Sequence, residues 1–150
     1  MPDRFKLVSE VHLLLVRHDE ILLLRRFQTG YEDGNYGVVS GHVDGSEPAR
    51  RATAREAFEE VGLQVSPDDI SFLYLQHRFS EDGSVWTDVF FDAGDWHGEP
   101  INAEPEKHSD IGWIDSRYLP DEVMPYQKYA LERIAEGKMY GEWGWQDFAK

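Results

Sequence analysis

The sequence predicts an α+β or α/β domain in which a mixed β-sheet is sandwiched between α-helices. Three observations lead there. Apolar runs of strand length, Val8–Val16 and Ile21–Arg25 early, Ile70–Ser80 and Ser84–Ala93 later, are separated by turn-forming residues. Two segments, 46–61 and 125–136, carry helical spacing instead. The chain is 150 residues with 41% hydrophobic residues and no cysteine, so it suits one domain over residues 1–150 with an unstapled core.

Each element has a local reason. Val8–Val16 contains the nearly continuous apolar run HLLLV, and His18–Glu20 is a polar turn leading into ILLLR. Gln28–Asn35 is rich in Gly, Asp and Asn and reads as a loop. Tyr36–Val39 is short and β-prone, and GHVDGSEP from Gly41 reads as another loop. Ser46 is the expected cap of the first helix, which runs to about Val61 and stops at Gly62, a natural left-handed terminator. Glu81-Asp82-Gly83 is the turn between two strands. Ile111–Ile114 is a further short strand, and Pro125–Glu136 a second amphipathic helix. In the tail, Met139–Lys150, the aromatics Trp143, Trp145 and Phe148 argue for docking on the domain or for an apolar homodimer contact.

Composition narrows the function. A formal net charge of −14 repels polyanions, so long DNA or RNA is a poor partner, while a small phosphorylated substrate bridged by a divalent cation stays compatible. No apolar run approaches the ~20 residues that cross a bilayer, and MPDRFKLVSE lacks a secretory stretch. A cytoplasmic protein without a membrane partner is the expectation.

The informative stretch is Gly41–Leu63, GHVDGSEPARRATAREAFEEVGL. On a helix Glu56, Glu59 and Glu60 fall at i, i+3 and i+4, within a ~100° arc, with Ala54, Phe58 and Val61 on the opposite, packing side. Three carboxylates on one face repel. Either they form a solvated face, with Arg50, Arg51 and Arg55 as counterions, or they offer hard oxygen ligands to Mg²⁺ or Mn²⁺.

The same stretch matches Gly-x5-Glu-x7-Arg-Glu-U-x-Glu-Glu-x-Gly-U, where U is apolar. Gly41, Glu47, Arg55, Glu56, Glu59, Glu60, Gly62 and Leu63 fill the fixed positions. On these residues the chain resembles the Nudix hydrolases, and with them the Nudix fold. The resemblance implies hydrolysis of a pyrophosphate bond in a nucleoside diphosphate derivative, with Mg²⁺ as cofactor and Mn²⁺ as substitute. It implies that Glu56, Glu59 and Glu60 bind the metal, that Glu56 also activates water, and that Gly41 offers its carbonyl. Glu47 is then an accessory carboxylate, and Arg55 orients a glutamate. Downstream, EPEK at Glu104–Lys107 followed by Trp113 is similar to a segment of MutT-like nucleoside triphosphate pyrophosphatases, which makes Glu104 a further metal ligand or base.

Substrate choice lies outside this motif. The proline typical of ADP-ribose pyrophosphatases, the tyrosine of diadenosine polyphosphate hydrolases and the tail motif of NADH pyrophosphatases are not evident. The favoured reaction is a nucleoside triphosphate, plain or modified, to monophosphate and pyrophosphate. ADP-ribose or nucleotide-sugar hydrolysis is the main alternative, and a non-catalytic nucleotide sensor another. Arg26, Tyr31, Asn35, Tyr36, Phe79 and Trp86 are candidates for recognising the base, and His42 and Asp44 for lining the phosphates. The remaining histidines read as structural or surface residues.

Overall fold

The computed structural model describes residues 2–145. Its strands are β1 (Val8–Leu14), β2 (Val16–Arg17), β3 (Glu20–Arg26), β4 (Tyr36–Gly37), β5 (Val39–His42), β6 (Ser71–Phe79), β7 (Val85–Asp92), β8 (His108–Asp115) and β9 (Tyr140–Trp143); its helices are α1 (Ala49–Val61) and α2 (Pro125–Ala135). One sheet has the order β5-β1-β7-β6-β9, with β1 parallel to β7 and β6 parallel to β9. The second is built around β3, which pairs with β2, β4 and β8.

Strand alternation makes the sandwich. Val11, Leu13 and Leu15, with Leu22 and Leu24, join the core that holds Ala52, Ala57 and Val61 of α1. Leu14, Ile21 and Leu23, one residue out of phase, join Tyr74 and Phe90 with Ala130 and Leu131 of α2. Both faces of β1 and β3 are therefore buried, which is why these strands read as continuous apolar runs and not as alternating ones.

Several elements differ from the sequence reading. Ser46 does not cap α1: the cap position is Pro48, without a side-chain bond. The Ser46 hydroxyl and amide are both committed to Asp44 Oδ1, so neither is free for the helix. Gly41 and His42 belong to β5, opposite Val11 and Glu10 of β1, and the loop begins only after them. β8 starts at His108, three residues before the expected Ile111, because pairing with β3 extends it. Phe58 does not pack: it is 56% exposed, while Ala57 is fully buried and carries the contact. The C-terminus of α1 is as expected, with Gly62 at φ 70° and its N–H bonded to Phe58 O.

The tail supplies a ninth strand that its aromatic content did not announce. Trp143 lies 5.3 Å from the Tyr129 ring of α2, and Trp145 lies against His77 and Phe79 while donating from Nε1 to His77 O. Both tryptophans thus dock within the chain. Phe148 lies outside the described residues. No helix among the described residues is long and apolar enough to cross a membrane.

Candidate active site

α1 and β5 lie side by side, and the site forms along their seam. Glu60, on the inner side of the helix, is 8% exposed, and its Oε2 accepts the Ser40 amide at 3.3 Å. Burial, then the neighbouring Glu56, pushes its carboxyl well above the usual range. Burial also pushes Glu56 up to about 7; Arg55 opposes the shift, and Glu59 and Glu104 add to it. Glu59 is half exposed at the mouth.

Arg55 ties these groups together. Its guanidinium donates to Glu47 (2.6 Å), Glu56 (2.9 Å), Glu59 (3.3 Å) and the His42 carbonyl (3.2 Å). Hydrogen bonding from Arg55 holds the Glu47 carboxyl below its ordinary value. Arg50 and Arg51, expected among the counterions, lie exposed on the helix. Gly41 faces Glu56 so closely that a Cβ there would sit 2.6 Å from Glu56 Cγ, and closer still to Cδ and Oε1.

Glu104 arrives from a distant part of the chain. Ile101 N donates to Val61 O and Ala103 N to Glu60 O, both at 3.0 Å, so this segment is stapled to the last turn of α1. Glu104 thereby comes near enough to raise both Glu56 and Glu60 electrostatically. Four carboxylates now share one locus, two of them buried against their charge. Hard oxygen donors packed with this much mutual repulsion, beside a glycine cradle, fit a divalent cation. Glu56, Glu59, Glu60, Glu104 and the Gly41 carbonyl are the groups that would hold it.

These carboxylates form one end of a cavity of about 1090 Å³. Of the residues expected from sequence to meet the base or the phosphates, Arg26, Tyr31, His42, Asp44 and Trp86 line it. Asn35, Tyr36 and Phe79 do not. Asn35 gives its amide to Glu32, and Tyr36 lies under the Arg25 guanidinium. Phe79 follows Arg78 on β6; since Arg78 points into the cavity, alternation turns Phe79 away, toward Trp145.

The opposite floor was not foreseen. Asp88 is fully buried and takes two bonds from Arg78, at 2.7 and 3.0 Å. His12 Nε2 lies 3.2 Å from both Asp88 and Glu10, and Tyr126 donates to Glu10 at 2.8 Å. Burial raises the Asp88 carboxyl, but bonds from His12 and Arg78 outweigh that and hold it below the usual range. Glu10, His12 and Asp88 bring ligand atoms within 4.8 Å of one another, the spacing of a cation site. The positive charge there is already Arg78, clasped between the Tyr126 and Trp86 rings at 3.8 and 4.5 Å. The available sequence signal was polar or charged residues two apart inside otherwise apolar strands: Glu10 and His12, Gln76 and Arg78.

Comparison with known proteins identifies the family and the fold. The family model described as the NUDIX domain matches residues 6–134. A MutT NUDIX hydrolase from Burkholderia pseudomallei is 29% identical and superimposes with a TM-score of 0.77 over 85% of this chain and 98% of its own. A MutT protein from Bacillus halodurans, 22% identical, shares the fold with a TM-score of 0.72 over 95% of this chain and 93% of its own. Among curated proteins, the NAD-capped RNA hydrolase NudC of Chromobacterium violaceum is 26% identical over 136 residues, 86% of this chain and 48% of that protein. The chain spans about half the length of that relative, and 39% of a second NudC, from Stutzerimonas stutzeri.

Proposed function

The chain belongs to the Nudix family of pyrophosphohydrolases, and from that premise we propose that residues 1–150 act as one domain on a nucleoside triphosphate, plain or modified, releasing nucleoside monophosphate and pyrophosphate. The observation that carries the reading is the convergence of Glu56, Glu59, Glu60 and Glu104 at one end of a cavity roomy enough for a nucleotide. Mg²⁺, with Mn²⁺ as substitute, would be held by these carboxylates and the Gly41 carbonyl. When bound, it supplies neutralisation of phosphate charge and acidification of an attacking water.

The chain's own groups do the rest. Glu56 accepts the proton of that water at its carboxylate, and Arg55 orients Glu56 through Nη1. Arg55 stands off the substrate because its donors already serve Glu47, Glu56 and Glu59. Trp86, with His42 tilted against it at 5.3 Å, offers an aromatic wall to the base. A dinucleotide pyrophosphate, such as an NAD cap, is the second reading, supported by the curated relatives of that name.

A panel of nucleoside triphosphates, oxidised triphosphates, ADP-ribose, nucleotide sugars and NAD-capped RNA, with Mg²⁺ and with chelator, tests the substrate. Triphosphates are expected to give the highest kcat/KM, only with metal, and ¹⁸O from water is expected in a phosphate product. Faster turnover of the capped RNA favours the second reading, and label in a sugar or base fragment overturns the reaction class. Glu56→Gln is expected to lower kcat about 10²-fold or more with little change in KM.

A further inference from the structure

A triphosphate brings more negative charge than the acidic end of the cavity can tolerate, so its remaining phosphates need cations from the chain. Four arginine or lysine side chains among the described residues line the cavity: Arg26, Arg55, Arg78 and Lys107. Two are already neutralised. Arg55 is shared among three glutamates, and Arg78 is bidentate to Asp88.

Arg26 differs. Its bonds go to neutral oxygens, Nε to the Tyr31 carbonyl at 2.7 Å and Nη2 to the Thr29 hydroxyl at 3.1 Å. These fix its stem and leave its charge uncompensated by either bond. The loop that supplies those oxygens is itself set by Asp33, which accepts the Thr29 and Gly30 amides. Lys107 is 58% exposed at its side chain and meets one carboxylate, Glu104, at 3.4 Å, with further N–H donors available.

The fold brings the two together. Phe27 N donates to Lys107 O at 2.8 Å, and Arg26 pairs with His108 where β3 meets β8. His108, 7% exposed, lines the same wall, and its Nδ1 has no hydrogen-bond partner. Two incompletely neutralised cations and a buried, under-bonded imidazole therefore share one wall, and Arg26 and Lys107 both feel the Glu60 charge electrostatically.

The geometry points to Arg26 and Lys107, with His108 beside them, as an anion subsite that takes the pyrophosphate portion of the substrate. This rests on the triphosphate reading. It assigns Arg26, a candidate for base recognition from sequence, to phosphate instead, and gives Lys107 a role that the metal-binding motif does not.

The test is calorimetric binding of inorganic pyrophosphate and of nucleoside monophosphate, each with Mg²⁺, to the full chain. Arg26→Gln and Lys107→Gln are each expected to weaken pyrophosphate binding about tenfold, the value of one charge-assisted hydrogen bond. Monophosphate affinity is expected to stay within about threefold of wild type on the same scale. Lys107→Arg should restore pyrophosphate binding, and Mn²⁺ affinity should be unchanged in Lys107→Gln, which separates a direct contact from a disturbance of Glu104. Because Lys107 is largely exposed, its variant carries the test without risk to folding. Unchanged pyrophosphate affinity, or equal weakening of pyrophosphate and monophosphate, overturns the subsite. Tight, Lys107-dependent pyrophosphate binding in a protein that hydrolyses no triphosphate would uphold the subsite and refute the substrate reading.

Discussion

Gly41→Ala is expected to separate catalysis from folding. The added Cβ would lie 2.6 Å from Glu56 Cγ, against the 3.4 Å at which ordinary contact begins, and closer again to the carboxylate. Relief needs a shift of about 1 Å, and the atoms in the way are the side chain of Glu56, not backbone. Glu56 cannot retreat freely, because Arg55 holds it at 2.9 Å and Ala57, next along the helix, is fully buried. A displacement of about 1 Å at a reacting group costs on the order of 10²-fold in rate. The variant should therefore lose about 10²-fold in kcat while its urea midpoint changes little, since the clash is met by one side chain near the cavity. Gly45→Ala is the matched control. It lies in the loop that follows β5, has nothing within 4 Å of the added Cβ, and should behave as wild type. A Gly41→Ala enzyme within threefold of wild-type kcat would refute the idea that close approach of β5 to Glu56 organises the site.

Three further outcomes follow from the same geometry. Glu60→Gln removes a buried carboxyl ligand from the cluster and is expected to weaken Mn²⁺ binding about tenfold or more by calorimetry; equal affinities would remove this face as the metal site. Arg55→Ala should reduce kcat/KM about tenfold or more by freeing three glutamates, whereas Arg51→Ala, at an exposed position, should lie within about twofold; the reverse order would contradict the orienting role. Asp88→Asn strands the buried Arg78 and should destabilise the fold by about 3–5 kcal/mol at pH 7. Since the folded pKa of Asp88 lies below its unfolded value of about 3.9, this advantage is complete above about pH 4 and disappears as pH falls through the lower folded value. A gap between wild type and Asp88→Asn that does not narrow as pH falls below about 4 would place the stabilisation elsewhere.

The sequence by itself determined which carboxylates stand at one end of the cavity. Spacing along a helix is local, so i, i+3 and i+4 were enough to put Glu56, Glu59 and Glu60 on one face, and a positive-φ glycine was enough to end that helix at Gly62. The continuous apolar runs of β1 and β3 likewise marked them as strands. Only the tertiary structure decided the rest. Ser46 looked like a helix cap until Asp44 claimed its hydroxyl, and Phe58 looked like core until the helix turned Ala57 inward. Asn35, Tyr36 and Phe79 had the right chemistry for a base, but neighbouring residues on their strands and loop claimed them or turned them away. Glu10 and Asp88, 78 positions apart, meet because β1 runs parallel to β7 in a register no local pattern states. Arg26 and Lys107, 81 positions apart, meet because β3 and β8 pair antiparallel. A side chain's partners across strands depend on register, and register is decided by packing on both sheet faces at once. The acidic helix was therefore visible in the sequence, while the cavity it faces was not.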